Sequence, residues 1–463
     1  MSNSKTSRRD FIKLGAAGAL VAGASTRVLA EEHILDLPLT GRVSASDKIR
    51  LATIGVGGQG SADTNTALRV PGVEMVAAAD VYEGRLIRAK EVWGNHLFTS
   101  RDYREVLARP DVDAVIVATP DHWHAQIAID ALNAGKDVYC EKPVVQKVED
   151  GHALVKAQQK TGKLLQVGSQ RVSSIVYQKA KELLASGAIG DLNLIEAWIN
   201  RRSPIAAWQY SIPPDASPQT IDWDRFLGSA PRVPFEPVRL FRWRNYRDYG
   251  TGIGGDLFIH LFSGIHFITG SNGPSRVLAT GGIRYWKDGR DVPDLLLGLY
   301  DYEKTSERAA FNLALRVNFA DGSVEPNQFE SAGFRFVGSD AVMTIANGVS
   351  VSRKQRPAEP GYSIDTFPKA TQEEFLKSYR AKYPDNKSQL RESREETYLA
   401  PPGYSDSLDH FTNFFMSVRS RKPVVEDAVF GLRAAGPALL TNRSYFENRV
   451  FAWNPDGMRV AGE

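Results

Sequence analysis

The segment that most limits what this chain can become is Gly55-Val56-Gly57-Gly58-Gln59-Gly60. A glycine-rich run alone is a common surface turn. Here Lys48–Ile54, apolar and β-branched, leads into it, and Ser61–Val70 reads as a helix after it. Val73–Ala79 then reads as a second strand, ending at Asp80. In such a strand–turn–helix–strand unit the helix N-terminus offers free N–H groups and partial positive charge to a phosphate. Gly55 permits the tight turn, Gly57 lets the backbone approach a pyrophosphate, and Gly60 lets helix and strand pack closely. Asp80 falls 20 residues beyond Gly60, where a carboxylate accepts bonds from ribose hydroxyls and repels a 2′-phosphate. The expectation is a Rossmann domain binding NAD through Gly55, Gly57, Gly58, Gln59, Gly60 and Asp80. The nearby Arg85 keeps NADP open.

Three more strands follow. Ala114–Thr119 runs into Pro120-Asp121-His122-Trp123-His124, Asp137–Cys140 delivers Glu141-Lys142-Pro143, and Leu164–Gly168 ends in Ser169-Gln170-Arg171. Ligands of open parallel sheets sit beyond the carboxyl ends of the strands. Thr119, Pro120, His122, His124, Glu141, Lys142 and Gln170 are therefore expected around the cofactor, with Arg171 toward a substrate. His122 and His124 lack a third nearby ligand, so they read as hydrogen-bonding groups and no metal is expected. Cys140, the single cysteine, reads as a buried strand residue and excludes an intramolecular disulfide.

Beyond Gly190 the pattern changes. Leu192–Ile199 is a strand, and Trp208 to Tyr249 is rich in aromatics and arginines. Aromatic faces beside polar groups suit sugar rings, which nominates Trp243 and Tyr249 as substrate contacts. Asp256–Thr269 reads as a helix, on which Asp256 and His260, four apart, share a face while His266 points elsewhere. A carboxylate so placed orients an imidazole and tunes its basicity. Strands are expected at Val277–Tyr285, Phe311–Phe319, Gly333–Val337 and Val342–Ile345, with a hairpin-style turn at Ala320-Asp321-Gly322. This predicts an α/β protein: a Rossmann domain over 47–170, then a domain over 171–445 built on a mostly antiparallel open sheet with helices on one face. The other, apolar face predicts a homo-oligomer, dimer or tetramer. Residues 357–405 read as a polar insertion with one helix near Glu373–Tyr383, and Asp406–Arg419 and Ala428–Glu447 read as closing helices.

The N-terminus reads separately. Arg8-Arg9 precede a weakly apolar run, Leu14–Ala24, and Val28-Leu29-Ala30 offers a cleavage site. Residues 1–30 are thus expected to be a twin-arginine signal, handing a folded protein to that translocase and placing it in the periplasm with its cofactor loaded. A formal charge of +3 is too small to argue for nucleic acid, and no bilayer-spanning segment is expected in the mature form.

The glycine fingerprint, Ala118-Thr119-Pro120 with His124, Glu141-Lys142-Pro143, and Asp256 with His260 together resemble the Gfo/Idh/MocA oxidoreductase family. The resemblance implies that Lys142 contacts substrate and nicotinamide ribose, and that the peptide before Pro143 is cis. It also implies that His260 is the general acid/base and Asp256 its partner and a substrate contact. Many relatives carry aspartate where this chain has Ser263, so the substrate does not carry over. The expected function is an NAD(P)-dependent oxidoreductase moving hydride between a sugar, glycoside or polyol carbon and a tightly bound nicotinamide. The alternative is a redox-neutral NAD-dependent glycoside hydrolase that transiently oxidises C3. A non-catalytic sensor is a third reading, against which Lys142 and His260 both stand.

Overall fold

The computed structural model describes residues 48–306, 309–353, 363–382 and 395–462. The proposed twin-arginine segment and part of the 357–405 insertion lie outside the described residues.

The first half is a six-stranded parallel sheet in the order β3-β2-β1-β4-β5-β6. These strands are Ile49–Ile54 (β1), Val73–Ala79 (β2), Phe98–Ser100 (β3), Ala114–Val117 (β4), Asp137–Cys140 (β5) and Leu165–Val167 (β6). β1 pairs with both β2 and β4, so the direction of winding reverses at its carboxyl end, where ligands of such sheets bind. The first helix spans Gly58–Ala67, three residues earlier than expected, because the last glycines of the fingerprint form its opening turn. Gly55 has φ +89°, and a Cβ there would lie 2.6 Å from the Ala118 carbonyl oxygen.

The second half is a ten-stranded mixed sheet. Its long strands are Leu192–Asn200 (β7), Arg276–Gly282 (β8), Leu295–Tyr302 (β9), Phe311–Asn318 (β10) and Ser331–Gly338 (β11). The remainder are Ala341–Ile345 (β12), Gly348–Arg353 (β13), Glu395–Leu399 (β14), Phe451–Asn454 (β15) and Arg459–Val460 (β16). Most pairings are antiparallel; β7 and β10 run parallel. The expected hairpin at Ala320-Asp321-Gly322 is not one, because β7 lies between β10 and β11 and pairs with both.

Helices Ile175–Ala185, Ile259–Thr269 and Ala428–Glu447 cover one face of this sheet. On β8 and β9 burial alternates along the strand, leaving Leu278, Leu297 and Leu299 exposed on the opposite side. The helix Asp406–Ser420 returns to the first sheet instead. Its Phe411 stacks on Tyr139 of β5 at 4.3 Å, and Phe411, Phe414 and Phe415 close a core with Leu51, Ile116 and Tyr139. No helix among the described residues is long and apolar enough to cross a membrane.

Candidate active site

A cavity of about 480 Å³ opens at the carboxyl ends of β1, β2, β4 and β5. Gly55, Gly57, Gly58 and Gln59 form one wall, and Thr119, Pro120, His124, Glu141 and Lys142 another. Six cationic side chains line it (Arg85, Arg101, Arg104, Arg225, Arg244 and Lys142), each paired with a carboxylate, and three carboxyl groups share the lining (Asp80, Asp121 and Glu141). A Cβ on Gly58 would meet no protein atom within 4 Å, so the loop presents bare backbone to the cavity. A Cβ on Gly60 would fall 1.9 Å from the Gly55 carbonyl oxygen. Gly60 thus packs the helix on the loop and does not line the cavity.

Asp80 fits the ribose-binding role by position. Its Oδ2 accepts from the Val56 N–H at 3.0 Å and its Oδ1 from the Tyr82 N–H at 3.0 Å, which leaves lone pairs on both oxygens for hydroxyl donors. Arg85 approaches Asp80 at 3.4 Å and lies over the Phe241 ring, so the nearest cation is already paired. The glycine loop and the carboxylate together fit a dinucleotide.

The aromatic segment roofs this cavity. Its Ile221 bridges Tyr82, Glu83 N–H donates to Thr220 O at 2.9 Å, and Asp222 N–H donates to Val81 O at 2.9 Å. Tyr82 Oη donates to Asp215 at 2.6 Å. Tyr210, Phe226, Phe241, Trp243 and Arg244 thereby come to line the site from above.

The expected helix Asp256–Thr269 is interrupted. Gly254–Phe258 is a π turn and the α-helix begins at Ile259. The π turn carries Asp256 toward β5, where Lys142 Nζ donates to its Oδ1 at 3.0 Å and to its backbone oxygen at 3.2 Å. Arg244 Nε donates to the same Oδ1 at 3.2 Å, and its guanidinium lies over Trp243. Burial would raise the Asp256 carboxyl, but Lys142 and Arg244 outweigh it and hold the group well below the ordinary carboxylate range. His260 makes no hydrogen bond among the described residues. Burial and the Lys142 cation hold its imidazole well below the usual range, so it is neutral with an available lone pair. The Lys142–Pro143 peptide is cis.

Several expected site residues stand elsewhere. His122 is turned out of the cavity, its ring nitrogens facing the Tyr249 and Phe226 carbonyl oxygens. Gln170 lies behind the cavity wall and braces Glu141 Oε1 at 2.9 Å. Tyr249 is fully buried against Phe226 and His122 and does not line the cavity. Arg171 lies outside the cavity and pairs with Glu330 at 3.4 Å; with Arg201, which shares Glu330, it supplies positive charge to His260. His124 does reach the lining, but both its nitrogens face carbonyl oxygens, of Pro143 at 2.7 Å and Thr119 at 2.8 Å. Buried His266 contacts Tyr302 Oη at 2.9 Å. The sequence placed Asp121 in the Thr119–His124 stretch and Arg244 in the aromatic segment without giving either a role, and it did not anticipate Arg101, Tyr103, Arg104 or Arg225 in the lining. Arg244 adjoins Trp243, and Asp121 sits inside the Pro120–His124 run, but neither neighbour betrays a long-range partner. No group of three or more potential metal ligands occurs among the described residues.

Residues 49–169 match the model of an oxidoreductase family with an NAD-binding Rossmann fold, Gfo/Idh/MocA. The inositol 2-dehydrogenase of Rubrobacter xylanophilus is 34% identical over 155 residues, which cover 33% of this chain and 44% of that protein. Glycosyl hydrolase family 109 protein 1 of a Shewanella species is 33% identical over 174 residues, 34% of this chain and 38% of that protein. The chain thus spans less than half the length of these curated relatives. Among solved structures, a levoglucosan dehydrogenase in complex with NADH and levoglucosan covers 87% of this chain and 98% of its own, with TM-score 0.61 and 17% identity. A scyllo-inositol dehydrogenase from Lactobacillus casei with NAD(H) and scyllo-inositol has TM-score 0.58 and 21% identity, over 87% of this chain and 98% of its own. At such identities these show a shared fold. Over residues 49–169 the chain is similar to the NAD-binding Rossmann domain of this oxidoreductase family.

Proposed function

We propose that this protein is an NAD-dependent oxidoreductase acting on a hydroxyl-bearing carbon of a sugar, glycoside or polyol. The observation that carries the reading is Lys142 on the cavity wall, ion-paired with Asp256, with neutral His260 one helical turn further on and within reach of both charges. When bound, the nicotinamide supplies the hydride acceptor or donor. Lys142 has three N–H donors and spends two on Asp256, which leaves one for a ligand oxygen. Asp256 stays ionised and fixes the ammonium in place. Neutral His260 takes the substrate hydroxyl proton during oxidation and returns it during reduction. The nearby Arg171 and Arg201 charges oppose imidazolium formation, so proton transfer to His260 needs the Asp256 charge.

The aromatic roof supports tight retention of the nucleotide, since release must disrupt the Tyr82–Ile221 bridge and its flanking bonds. Retention suits the export that Arg8-Arg9 and the following apolar run support: a periplasmic enzyme loaded before translocation. The exposed leucines of β8 and β9 support a homo-oligomer joined through the sheets.

The family 109 relatives favour one second reading, a redox-neutral glycoside hydrolase. One experiment separates the readings. Mass spectrometry of the denatured, purified protein identifies released nucleotide, and the native holoprotein is then mixed with a panel of polyols, sugars and glycosides. Lasting absorbance of reduced nicotinamide supports the oxidoreductase; glycoside cleavage without it supports the hydrolase. Absence of nucleotide, with none bound on addition, overturns both.

A further inference from the structure

The run after β4 buries a carboxyl group that the Lys142–Asp256–His260 arrangement does not use. Asp121 is 1% exposed and lines the cavity. Its Oδ2 accepts from the Thr251 N–H at 2.9 Å and the Thr251 hydroxyl at 2.7 Å, at the start of the turn that carries Asp256. Its Oδ1 is buried without a hydrogen-bond partner among the described residues. Such an atom costs free energy unless a ligand or a proton compensates it. The titratable and charged groups facing Asp121 are Lys142 and Cys140 at the end of β5, Arg244 from the aromatic segment, and Asp256 from the π turn. Cys140 is buried and stays a neutral thiol. Among the groups that face Asp121, Lys142, Arg244 and Asp256 sum to one positive charge, which the ionised carboxylate of Asp121 offsets and its protonation restores.

We propose that Asp121 discriminates the oxidised from the reduced cofactor: as a carboxylate at the Lys142 end of the cavity it favours the pyridinium cation of NAD+, and as a neutral acid it loses that preference for NAD+ over NADH. The inference rests on the NAD-binding reading of this cavity. Burial, followed by the charge of Asp256, pushes the Asp121 carboxyl up to about 7, so the changeover falls in an accessible range. The sign follows by linkage. Raising pH ionises Asp121 and strengthens NAD+ binding relative to NADH; reciprocally, NAD+ binding draws a proton off Asp121.

The test measures the Kd of NAD+ and of NADH between pH 5.5 and 9, on nucleotide-stripped full-length protein, by titration calorimetry with tryptophan quenching as a second readout. Wild type is expected to show a Kd(NADH)/Kd(NAD+) ratio that climbs about tenfold with pH, the size of one charge–charge contact in a partly screened site. Asp121→Asn keeps a carbonyl acceptor for Thr251 but does not titrate, so its ratio is expected to be low and flat. Thr251→Val removes one donor to the ionised form and should shift the wild-type curve to higher pH without abolishing it. A flat wild-type ratio, or an Asp121→Asn ratio that climbs like wild type, overturns the inference while leaving NAD binding intact. Failure of both nucleotides to bind overturns the cofactor reading and this inference with it.

Discussion

Lys142 Nζ lies 3.0 Å from Asp256 Oδ1, although 114 residues separate them in the chain. The bond joins the Rossmann sheet to the π turn of the second half, so the site exists only while the halves are docked. Both side chains are at least nine-tenths buried, and Arg244 shares the carboxylate. Removing one member of a buried ion cluster leaves the others unpaired, typically at a cost of about 3–5 kcal/mol. Asp256→Asn is therefore expected to lower the urea midpoint as well as turnover. An unchanged midpoint would show that the docked halves do not depend on the pair.

Lys142→Ala and His260→Ala are expected to reduce turnover of any substrate found by at least about a hundredfold, the usual weight of a positioned proton-transfer group. Cofactor should stay bound in both, because the glycine loop and Asp80 hold the opposite end of the cavity. Full activity in either variant would remove that residue from the reaction.

Asp80→Ala removes the acceptor of the Val56 and Tyr82 N–H groups and frees Arg85 from its partner. NAD+ affinity should fall about tenfold or more, while NADP+ gains a free guanidinium for its 2′-phosphate. Competitive titration of the two nucleotides checks this. An unaltered preference would place ribose recognition on another residue.

The two glycines of the first helical turn should respond differently to alanine. Gly60→Ala forces a Cβ into the Gly55 carbonyl and should destabilise the fold, seen as a lower melting temperature. Gly58→Ala meets open space, so its melting temperature should match wild type while nucleotide affinity drops. Equal nucleotide affinity in Gly58→Ala would mean that the pyrophosphate does not cross this loop.

Glu426 is fully buried, accepts from Ser263 at 3.3 Å, and is raised well above its ordinary range chiefly by burial. In the unfolded chain it ionises near 4.5, so wild type loses stability as pH rises from there toward the folded-state value. Glu426→Gln cannot ionise. Its stability relative to wild type should thus increase by up to about 1.4 kcal/mol per pH unit within that window. Denaturant midpoints at pH 5 and pH 8 decide this; a constant difference would show that Glu426 is ionised in the fold.

The Rossmann half was legible because its signals are local. Val73–Ala79 and Asp137–Cys140 are short apolar runs bounded by polar or glycine residues, and the structure places strands over those same residues. The second half was less so. β9 escaped notice because Leu295–Tyr302 exposes Leu297 and Leu299, so no polar-out alternation marks it. Asp321-Gly322 mimics a hairpin turn, but β7, whose residues pair with β10 positions 118 later in the chain (Leu194 with Asn312), enters between its flanks. The Tyr249 aromatic signature was real, yet an aromatic ring serves a core as well as a sugar site, and only packing separates the two uses.

By itself the sequence determined the nucleotide-binding unit, the positions of five of its six strands and the residue types that reach their carboxyl ends. These depend on chain neighbours, on backbone geometry at Gly55 and on burial periodicity, all written within a few residues of each other. The tertiary structure alone decided that Asp256 faces Lys142 and Arg244, that Thr251 holds Asp121, and that Tyr82 latches the aromatic roof. Each is a contact between residues distant in the chain, and its geometry is set by how two sheets and a π turn pack, which no local pattern encodes.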